Sequence, residues 1–416
     1  MRILFLSHRL PYPPTKGDKL RTFNEIQYLA RRHQIHLLTF EDPDDLGAPD
    51  EELRRYCSEV EVFPLSPLKA RLRCLKGLLG PRPLTTSYFD SSALAERVQE
   101  LAVPEKCDVL VACGSGMAHY AELAPQVPRL LDMVDVDSVK WYQYSQYSGL
   151  ARSFIFRLEA RRLSSYESGP GEIFDKIVLT TESEVSTLES ISPGSQAKVV
   201  RNGVNLGDDG QSTIPKSEVP ALVFTGQMDY FANVDGVVHF SKQVLPRLKK
   251  KWPELRFVIV GRSPTAEVKE LEMIPGVTVT GEVEDVRPFL SEAWAFVAPL
   301  RIAQGVQNKV LEAMAEGIPA VVSERVMAGL ADGKFQDGRD LMVATDDLQL
   351  EKALDELLRD EGKRRVLSAS ARSRLADRYS WEANMLALEH FLEEIAHLDA
   401  QQLWTSERES GVAKAQ

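Results

Sequence analysis

The sequence predicts an α/β protein made of two parallel β-sheets, each with helices on both faces. Short apolar runs alternate with longer stretches of helical spacing along most of the chain, as in repeated β-α-β units. A polar, turn-rich stretch at residues 206–219 separates two such series of about 200 residues each. These two observations predict two α/β domains joined by a linker.

The composition of the 416 residues is that of an ordinary globular protein, with 44% hydrophobic and 27% charged residues. These values exclude a largely disordered chain, a collagen-like chain and a small disulfide-stapled scaffold. The net charge of -11 argues against a broad surface for nucleic acid. The four scattered cysteines lack zinc-ligand spacing, so we expect reduced and mostly buried thiols in a cytosolic protein.

Six apolar runs in the first half predict buried strands of a parallel sheet. These runs are residues 3–6, 35–40, 60–65, 108–112, 129–134 and 176–180. The first run is too short for a secretion signal, and no segment reaches the roughly 18 apolar residues of a membrane span. We therefore expect a cytoplasmic protein. Residues 20–32 have the apolar spacing of a helix.

The second half repeats this scheme and then ends in a helix and a polar tail. Its predicted strands are residues 221–225, 256–260, 277–280, 295–299, 320–323 and 341–344, with helices at 237–251 and 308–316. We predict a first domain at 1–205, a second at 206–380, a helix at 381–398 that packs back toward the first domain, and a polar tail at 399–416. The end of that tail, 407–416, is expected to be disordered.

The segment most informative about chemistry is residues 304–319. A glycine-containing loop leads into a helix whose first backbone N–H groups and positive dipole end suit a phosphate. Lys309 adds a cation in the first turn of this helix. Glu312, one turn later, can accept hydrogen bonds from both hydroxyls of a ribose. Alternatively, Glu312 is an acid that only stabilises the start of the helix.

The pattern Asn-Lys-x-x-Glu-Ala-Met-Ala-x-Gly-x-Pro at residues 308–319 resembles the signature of retaining GT-B glycosyltransferases, specifically glycosyltransferase family 4. The resemblance spans about residues 1–395 and includes segments 11–17, 200–205 and 379–381. It implies a GT-B architecture, in which two Rossmann-like domains face each other across a cleft. It further implies an acceptor site in the first domain, a nucleotide-sugar site in the second, retention of configuration, and neither a cofactor nor a metal.

Three shorter segments resemble a narrower branch, the exosortase (PEP-CTERM) system-associated sugar transferases of bacterial exopolysaccharide clusters. They are residues 225–230, 286–288 and 298–301. This resemblance implies a hexosyltransferase-type enzyme in exopolysaccharide or lipid-linked glycan assembly.

The sequence departs from the family pattern at the first of its two usual glutamates, which lie eight positions apart. Glu312 matches the second, but Gln304 stands at the first, near the transferred sugar in the family. A glutamine keeps the hydrogen-bonding reach and loses the charge. The family also often grips the diphosphate with an arginine and a lysine after the first strand of the second domain, and here Gln227 follows that strand. The phosphate cations are therefore expected to be Lys309 first and Arg301 or Arg262 second.

The resemblance and the chemistry together give the expected site. Lys309, Glu312 and Gln304 form the expected catalytic group. We expect the donor to be bound by Gly17, Gly226, Arg262, Val283, Arg301, Gly305, Asn308, Lys309 and Glu312. Gly17 would allow close approach of backbone to ligand, or else serves a plain turn. The backbone at Val283 would contact the base.

Three residues of the first domain are candidates for the acceptor site: Ser115, His119 and Asp135. Many family members carry a histidine where this chain has residues 113–116, so His119 either contacts substrate or packs within a helix. Asp135 and Asp137 have the spacing of a metal-binding pair, as do the acids at 42–45, but solvated loop acids have it too.

A basic, leucine-containing segment at residues 66–83 carries five cations and no acid. It fits either a helix at the inner face of an anionic membrane or a helix that covers the first sheet with solvated cations. A lipid-linked acceptor would make membrane contact useful. Two other functions stay open: a nucleotide-sugar-binding scaffold without turnover, and a nucleotide-sugar epimerase of the same architecture.

Overall fold

The computed structural model describes residues 1–41, 51–206 and 218–412, with backbone only from residue 398 onward. The acids at 42–45, most of the predicted linker and the last four residues lie outside this description. By its internal contacts the chain divides into two units. The first contains Met1–Arg201 and Glu382–Gln416, and the second contains Asn202–Trp381.

The sheet of the first unit has seven parallel strands among the described residues, in the order β3-β2-β1-β4-β5-β6-β7. The strands are β1 (Arg2–Ser7), β2 (Gln34–Phe40), β3 (Glu59–Phe63), β4 (Val109–Cys113), β5 (Arg129–Val134), β6 (Lys176–Leu179) and β7 (Ala197–Val199). The six predicted strands are confirmed. β7 was not predicted, because it is three residues long with an exposed central lysine and has no apolar run.

Helices flank this sheet as the periodicity requires, since a parallel sheet must be covered on both faces. They are α1 (Gly17–Leu29), α2 (Pro67–Gly77), α3 (Leu84–Tyr88), α4 (Ser92–Leu101), α5 (Ala118–Ala121), α6 (Asp137–Gln146), α7 (Leu150–Glu167), α8 (Pro170–Ile173) and α9 (Glu182–Ile191). The core between sheet and helices is apolar, and β4 is buried along its whole length.

The sheet of the second unit has six parallel strands in the described part of the chain, in the order β10-β9-β8-β11-β12-β13. They are β8 (Ala221–Thr225), β9 (Arg256–Val260), β10 (Val277–Gly281), β11 (Ala295–Ala298), β12 (Ala320–Ser323) and β13 (Met342–Ala344). All six were predicted. Their buried side chains form one core with the surrounding helices.

Eight helices of the second unit fall within the described residues. They are α10 (Phe231–His239), α11 (Leu245–Lys251), α12 (Ala266–Lys269), α13 (Arg287–Glu292), α14 (Asn308–Ala315), α15 (Glu324–Leu330), α16 (Asp347–Arg359) and α17 (Glu361–Arg378). A π-helical turn at Phe240–Val244 joins α10 to α11. The predicted helix at 237–251 therefore begins earlier, at Phe231.

The last helix, α18 (Trp381–Val412), packs against the first unit. Its buried Glu389 accepts hydrogen bonds from the Tyr28 hydroxyl at 3.3 Å, from Arg32 at 3.2 Å and from His33 Nε2 at 2.9 Å. The helix continues to Val412 instead of ending near residue 398. Residues 399–410 contain neither glycine nor proline and are rich in helix-forming alanine, glutamine, leucine and glutamate.

The four cysteines are free thiols, and all but Cys74 are buried. Burial raises the pKa of Cys57 to about 12 and that of Cys107 to about 11. Both side chains therefore stay protonated near neutral pH, and the prediction of buried thiols is confirmed. Of the helices that the structure describes, none has the length and apolarity to cross a bilayer.

Each sheet changes its direction of strand addition once. In the first sheet the change falls between β1 and β4, and in the second it falls between β8 and β11. At such a switch point the loops after the two strands diverge, which leaves a crevice at the carboxyl edge where parallel α/β sheets bind ligands. The two carboxyl edges are therefore the places to look for a site.

Candidate functional site

The carboxyl edge of the second sheet collects nearly all of the predicted donor residues. Gly226 follows β8, Arg262 follows β9, Val283 follows β10, and the loop at 301–307 connects β11 to α14.

Lys309 lies in the first turn of α14 and is half-buried. Its Nζ donates a 2.6 Å hydrogen bond to Asn233 Oδ1 and lies 5.1 Å from the centroid of the Phe224 ring. Burial lowers the pKa of Lys309 to about 8, although Glu312 opposes this shift. Because burial disfavours the charged form of this lysine, an anion that binds beside it stabilises that form.

Glu312 is half-buried one turn beyond Lys309. Burial raises the pKa of its carboxyl, and the nearby Lys309 ammonium opposes that effect. Gln307, which precedes α14, makes no capping hydrogen bond with its side chain. The first amides of the helix, the lysine and the glutamate thus form one polar group at the switch point.

Asn233 positions the lysine, and the sequence analysis missed it. Its side chain is buried in α10, where Nδ2 donates to the Gln227 carbonyl at 2.9 Å and Oδ1 accepts from Lys309. Its position in the first turn of the helix that follows β8 could have identified it in the sequence. Such a residue faces the same carboxyl edge as the loop that precedes it.

Two glycines allow the strand ends to meet closely. A Cβ on Gly261 would lie 1.7 Å from the Gly226 carbonyl oxygen, and one on Gly226 would lie 2.8 Å from Asn233 Nδ2. Lys309 Cε lies 3.5 Å from that same Gly226 Cβ position. Gly226 is therefore required where the backbone passes beside the lysine.

The loop before α14 is held by its own contacts. Asn308 Oδ1 accepts a 2.9 Å hydrogen bond from Asn202 Nδ2, and the Gln304 carbonyl accepts one of 3.0 Å from Gln307 Nε2. Gly305 has a φ of 57°, and a Cβ on Gly329 would lie 2.0 Å from its carbonyl oxygen. The loop is therefore closely packed around residues 304–308.

The second-choice cations differ from Lys309 in their surroundings. Arg301 forms a two-point ion pair with Asp235, with Nε at 2.9 Å from Oδ2. Arg262 is half-buried at the end of β9, and its carbonyl accepts from Met228 N at 2.9 Å. Val283 packs its side chain against the core. Asp235 already offsets the Arg301 charge, which leaves Lys309 as the better candidate for an anion.

The carboxyl edge of the first sheet carries a second polar cluster, near Ser115 and Asp135. Ser115 follows β4, and its hydroxyl donates to Asp137, which also pairs with Lys140. Although burial opposes its ionisation, Lys140 and Ser115 hold the pKa of Asp137 below its usual range. Gly17 belongs to this unit as the first residue of α1.

The sequence analysis missed His8, which directly follows β1 at the switch point. Its Nε2 lies 3.0 Å from Asp18 Oδ2, and its Nδ1 lies 3.3 Å from the Cys113 carbonyl. Burial disfavours ionisation of Asp18, yet His8 and Arg9 hold the pKa of this carboxyl well below its usual range. The signal was present in the sequence, because a histidine that follows the first strand of such a sheet lies at its carboxyl edge.

Backbone strain marks the same edge. Val134, the last residue of β5, has a φ of 65°, which a β-branched residue rarely adopts. Such strain often occurs at functional sites. Asp135 follows it and is half-buried, and burial raises the pKa of its carboxyl. His119 instead packs in α5 with its ring 4.0 Å from that of Tyr120, and burial lowers its pKa to about 4.

Beneath this edge lies a fully buried group that has the residue types of a metal site: Glu25, Cys113 and Asp132. Arg21 Nε lies between the two carboxyls, 2.6 Å from Asp132 and 3.0 Å from Glu25. Burial opposes the arginine charge, but the two acids raise the pKa of Arg21. The guanidinium supplies the positive charge that a metal would bring.

Residues 219–360 match the sequence model of the family described as Glycosyl transferases group 1. That range includes Lys309, Glu312, Asn233 and Gln304, which we call the Lys309 cluster. No curated protein matches the chain significantly.

Solved structures match nearly the whole chain. Sucrose-phosphate synthase from Thermosynechococcus elongatus is similar with a TM-score of 0.69 and 16% identity, over 98% of this chain and 100% of that one. HepE from Anabaena, solved in complex with UDP, is similar with a TM-score of 0.62 and 14% identity, over 95% of this chain and 100% of that one. A glycosyltransferase from Rickettsia africae is similar with a TM-score of 0.62 and 11% identity, over 95% of this chain and 98% of that one.

These matches extend over both units and have the same α/β construction of two parallel sheets. The chain therefore has the GT-B fold, and residues 219–360 resemble the group 1 glycosyltransferases in sequence.

Proposed function

We propose that this protein is a glycosyltransferase that moves a sugar from a nucleotide sugar to an acceptor hydroxyl. The observation that carries the proposal is the Lys309 cluster at the switch point of the second sheet, within the residues matched by the family model. A half-buried lysine, the first backbone amides of α14 and a neighbouring glutamate suit a nucleoside diphosphate. The UDP complex of the structurally similar HepE supports a nucleotide ligand for this fold.

In this proposal each residue of the cluster has one role. Lys309 and the first amides of α14 bind the diphosphate and stabilise the negative charge that grows on it as it leaves. Glu312 accepts the ribose hydroxyls. Gln304 contacts the transferred sugar, and Asn233 positions the lysine. Because Asp235 already pairs with Arg301, that arginine contributes less than Lys309.

The reaction exchanges one bond at the anomeric carbon for another. The bond from this carbon to the diphosphate oxygen breaks, and a bond to the acceptor oxygen forms on the same face, which retains the configuration. The acceptor proton passes to the departing diphosphate. Ser115 and Asp135 at the carboxyl edge of the first sheet are our candidates for contacting the acceptor, and His119 is the weaker one because it packs against Tyr120.

The finer proposal concerns the substrates. We infer a hexosyl donor and an acceptor in exopolysaccharide or lipid-linked glycan assembly, on the resemblance of three segments to exosortase-associated transferases. An enzyme of such a pathway works at the inner face of the cytoplasmic membrane, and the basic segment at 66–83 suits contact with anionic lipid.

The test is a thermal-shift panel of the purified protein against UDP, GDP, ADP, CMP and their common sugar conjugates. A ligand that binds the folded state raises the melting temperature with the logarithm of its excess over Kd. We expect one nucleotide family to give a shift that Lys309→Gln abolishes and Lys140→Gln preserves. A shift with no transfer and no donor hydrolysis would favour a binding scaffold, and inversion of a hydroxyl on the bound sugar would favour an epimerase. No shift with any nucleotide would contradict the proposal.

A further inference from the structure

Helix α2 presents its apolar side to solvent. Leu68, Leu72 and Leu75 follow one another at helical spacing and are all exposed, Leu68 by 73%. Leu79, just past the helix, is 98% exposed. The opposite side of α2 packs on the unit through Ala70, which is fully buried. We call these four leucines the leucine face.

The segment that carries this face, residues 66–83, contains cations and no acid. Residues 66–83 hold Lys69, Arg71, Arg73, Lys76 and Arg82 in a chain whose net charge is -11. A helix that only covered a sheet would turn its leucines inward and its cations outward. In α2 the fully buried residue is Ala70, and the leucines are exposed to solvent instead of entering the core.

The start of α7 also exposes apolar side chains. Leu150 is 94% exposed and Phe154 is 71% exposed. Arg162 in the same helix donates to the carbonyls of Gly77 at 3.1 Å and Leu78 at 2.7 Å. These bonds join α7 to the end of α2.

A cavity of about 430 Å³ lies beside α2 at the carboxyl ends of β2 and β3. Its polar lining includes Lys69, Arg73, Ser66, Ser91 and Asp90. Arg73 is fixed by hydrogen bonds to the Ser87 and Tyr88 carbonyls at 3.1 and 2.9 Å. Lys69 is exposed and has no hydrogen bond or ion pair with any described residue. Two cations face one carboxylate there, and the volume suits a small polar group.

We propose that this cavity binds the phosphate or diphosphate of a lipid whose hydrocarbon chain lies along the leucine face. Lys69 and Arg73 are one turn apart on α2, so both can reach one phosphate group. The leucines beside them would enter the outer part of a bilayer. The inference rests on the proposed function, because it makes the sugar acceptor a phosphate-bearing lipid.

Ordinary anionic phospholipid and a lipid-linked phosphate offer the same chemistry, and flotation of the full chain with vesicles separates them. One vesicle type is phosphatidylcholine alone. The second adds phosphatidylglycerol, and the third adds a polyprenyl diphosphate at equal total negative charge. The proteins are the wild type, Lys69→Gln, the matched variant Lys76→Gln on the same helix outside the cavity lining, and Leu72→Ser.

We expect the wild type to bind polyprenyl diphosphate vesicles at least tenfold more tightly than phosphatidylglycerol vesicles. Lys69→Gln should lose most of this preference and Lys76→Gln should keep it, while Leu72→Ser weakens binding to both. Equal affinity for the two anionic vesicles, equal effects of the two lysine variants, or no vesicle binding would each overturn the site.

A thermal shift on every variant with the full nucleotide panel keeps the two proposals apart. A normal shift without vesicle binding overturns the lipid site alone. Selective vesicle binding with no nucleotide shift supports the lipid site and contradicts the glycosyltransferase.

Discussion

The carboxyl edges of the two sheets have the same topology and different chemistry. The second edge holds Lys309 and Glu312, each with its charged state disfavoured by burial. The first edge holds the His8–Asp18 and Ser115–Asp137 pairs, whose carboxyls are stabilised in their charged form. The second edge would therefore gain from a charged ligand, whereas these two pairs at the first edge are already stabilised by their own contacts. This difference is why we propose a diphosphate at the second edge and a neutral hydroxyl at the first.

The largest expected effect comes from the glycines. Gly261→Ala places a Cβ 1.7 Å from the Gly226 oxygen, so the strand ends must separate. We expect a loss of about 3 kcal/mol or more in the free energy of unfolding. The counterpart in the first unit is Gly114→Ala, where a φ of 83° with a ψ of 150° is a conformation essentially confined to glycine and costs about 1–3 kcal/mol. Thermal denaturation compares the two, and equal losses would show that the second edge has no special close approach.

The next effect is on nucleotide affinity. Lys309→Gln removes a charged hydrogen bond to the diphosphate, so we expect Kd for the preferred nucleotide to rise about 10- to 100-fold. Lys140→Gln removes a lysine from the first edge and should leave that Kd unchanged. Calorimetric titration measures both. A larger effect from Lys140→Gln would reverse the assignment of the two edges.

A pH series sharpens the same contrast. The folded protein has a Lys309 pKa of about 8, below the ordinary value of 10.5, so the free lysine loses its charge as pH rises through 8. Nucleotide affinity should be constant below pH 7.5 and then fall by up to about tenfold per pH unit as binding takes up a proton. Lys309→Arg should bind without this decline, because arginine stays charged. A flat wild-type profile up to pH 10 would contradict the role of the lysine.

The smallest effect concerns Arg301. Its guanidinium is engaged by Asp235 and partly exposed, so Arg301→Gln should raise the nucleotide Kd by less than about threefold. The titration used for Lys309→Gln provides the comparison. An effect as large as that of Lys309→Gln would mean that the arginine leaves Asp235 to bind the ligand.

Contacts between residues far apart in the sequence could not be predicted from the sequence alone. Lys309 and Glu312 lie three residues apart on one helix, so their spacing alone predicts that they lie at the same edge of the sheet. The hydrogen bond between Lys309 and Asn233 joins residues 76 positions apart, and the pair of Arg301 with Asp235 spans 66. No periodicity reveals such contacts, because they depend on the register of several strands. The twelve predicted strands, by contrast, are local apolar runs.

The orientation of α2 also could not be predicted from its sequence. The sequence predicts an amphipathic basic helix but not which side faces the unit. In the structure the helix packs on the side of the buried Ala70, and the leucines are exposed. Packing, rather than hydrophobicity alone, therefore determines the surface.

The return of α18 to the first unit has a consequence for biosynthesis. The chain leaves the first unit at Arg201, forms the second as one uninterrupted stretch, and re-enters the first at Glu382. Glu389, which binds Tyr28, Arg32 and His33, is translated after the whole second unit. Domains usually mature from the amino terminus during synthesis. In this protein all residues of the second unit are translated before the first unit is complete, because α18 of the first unit is translated last.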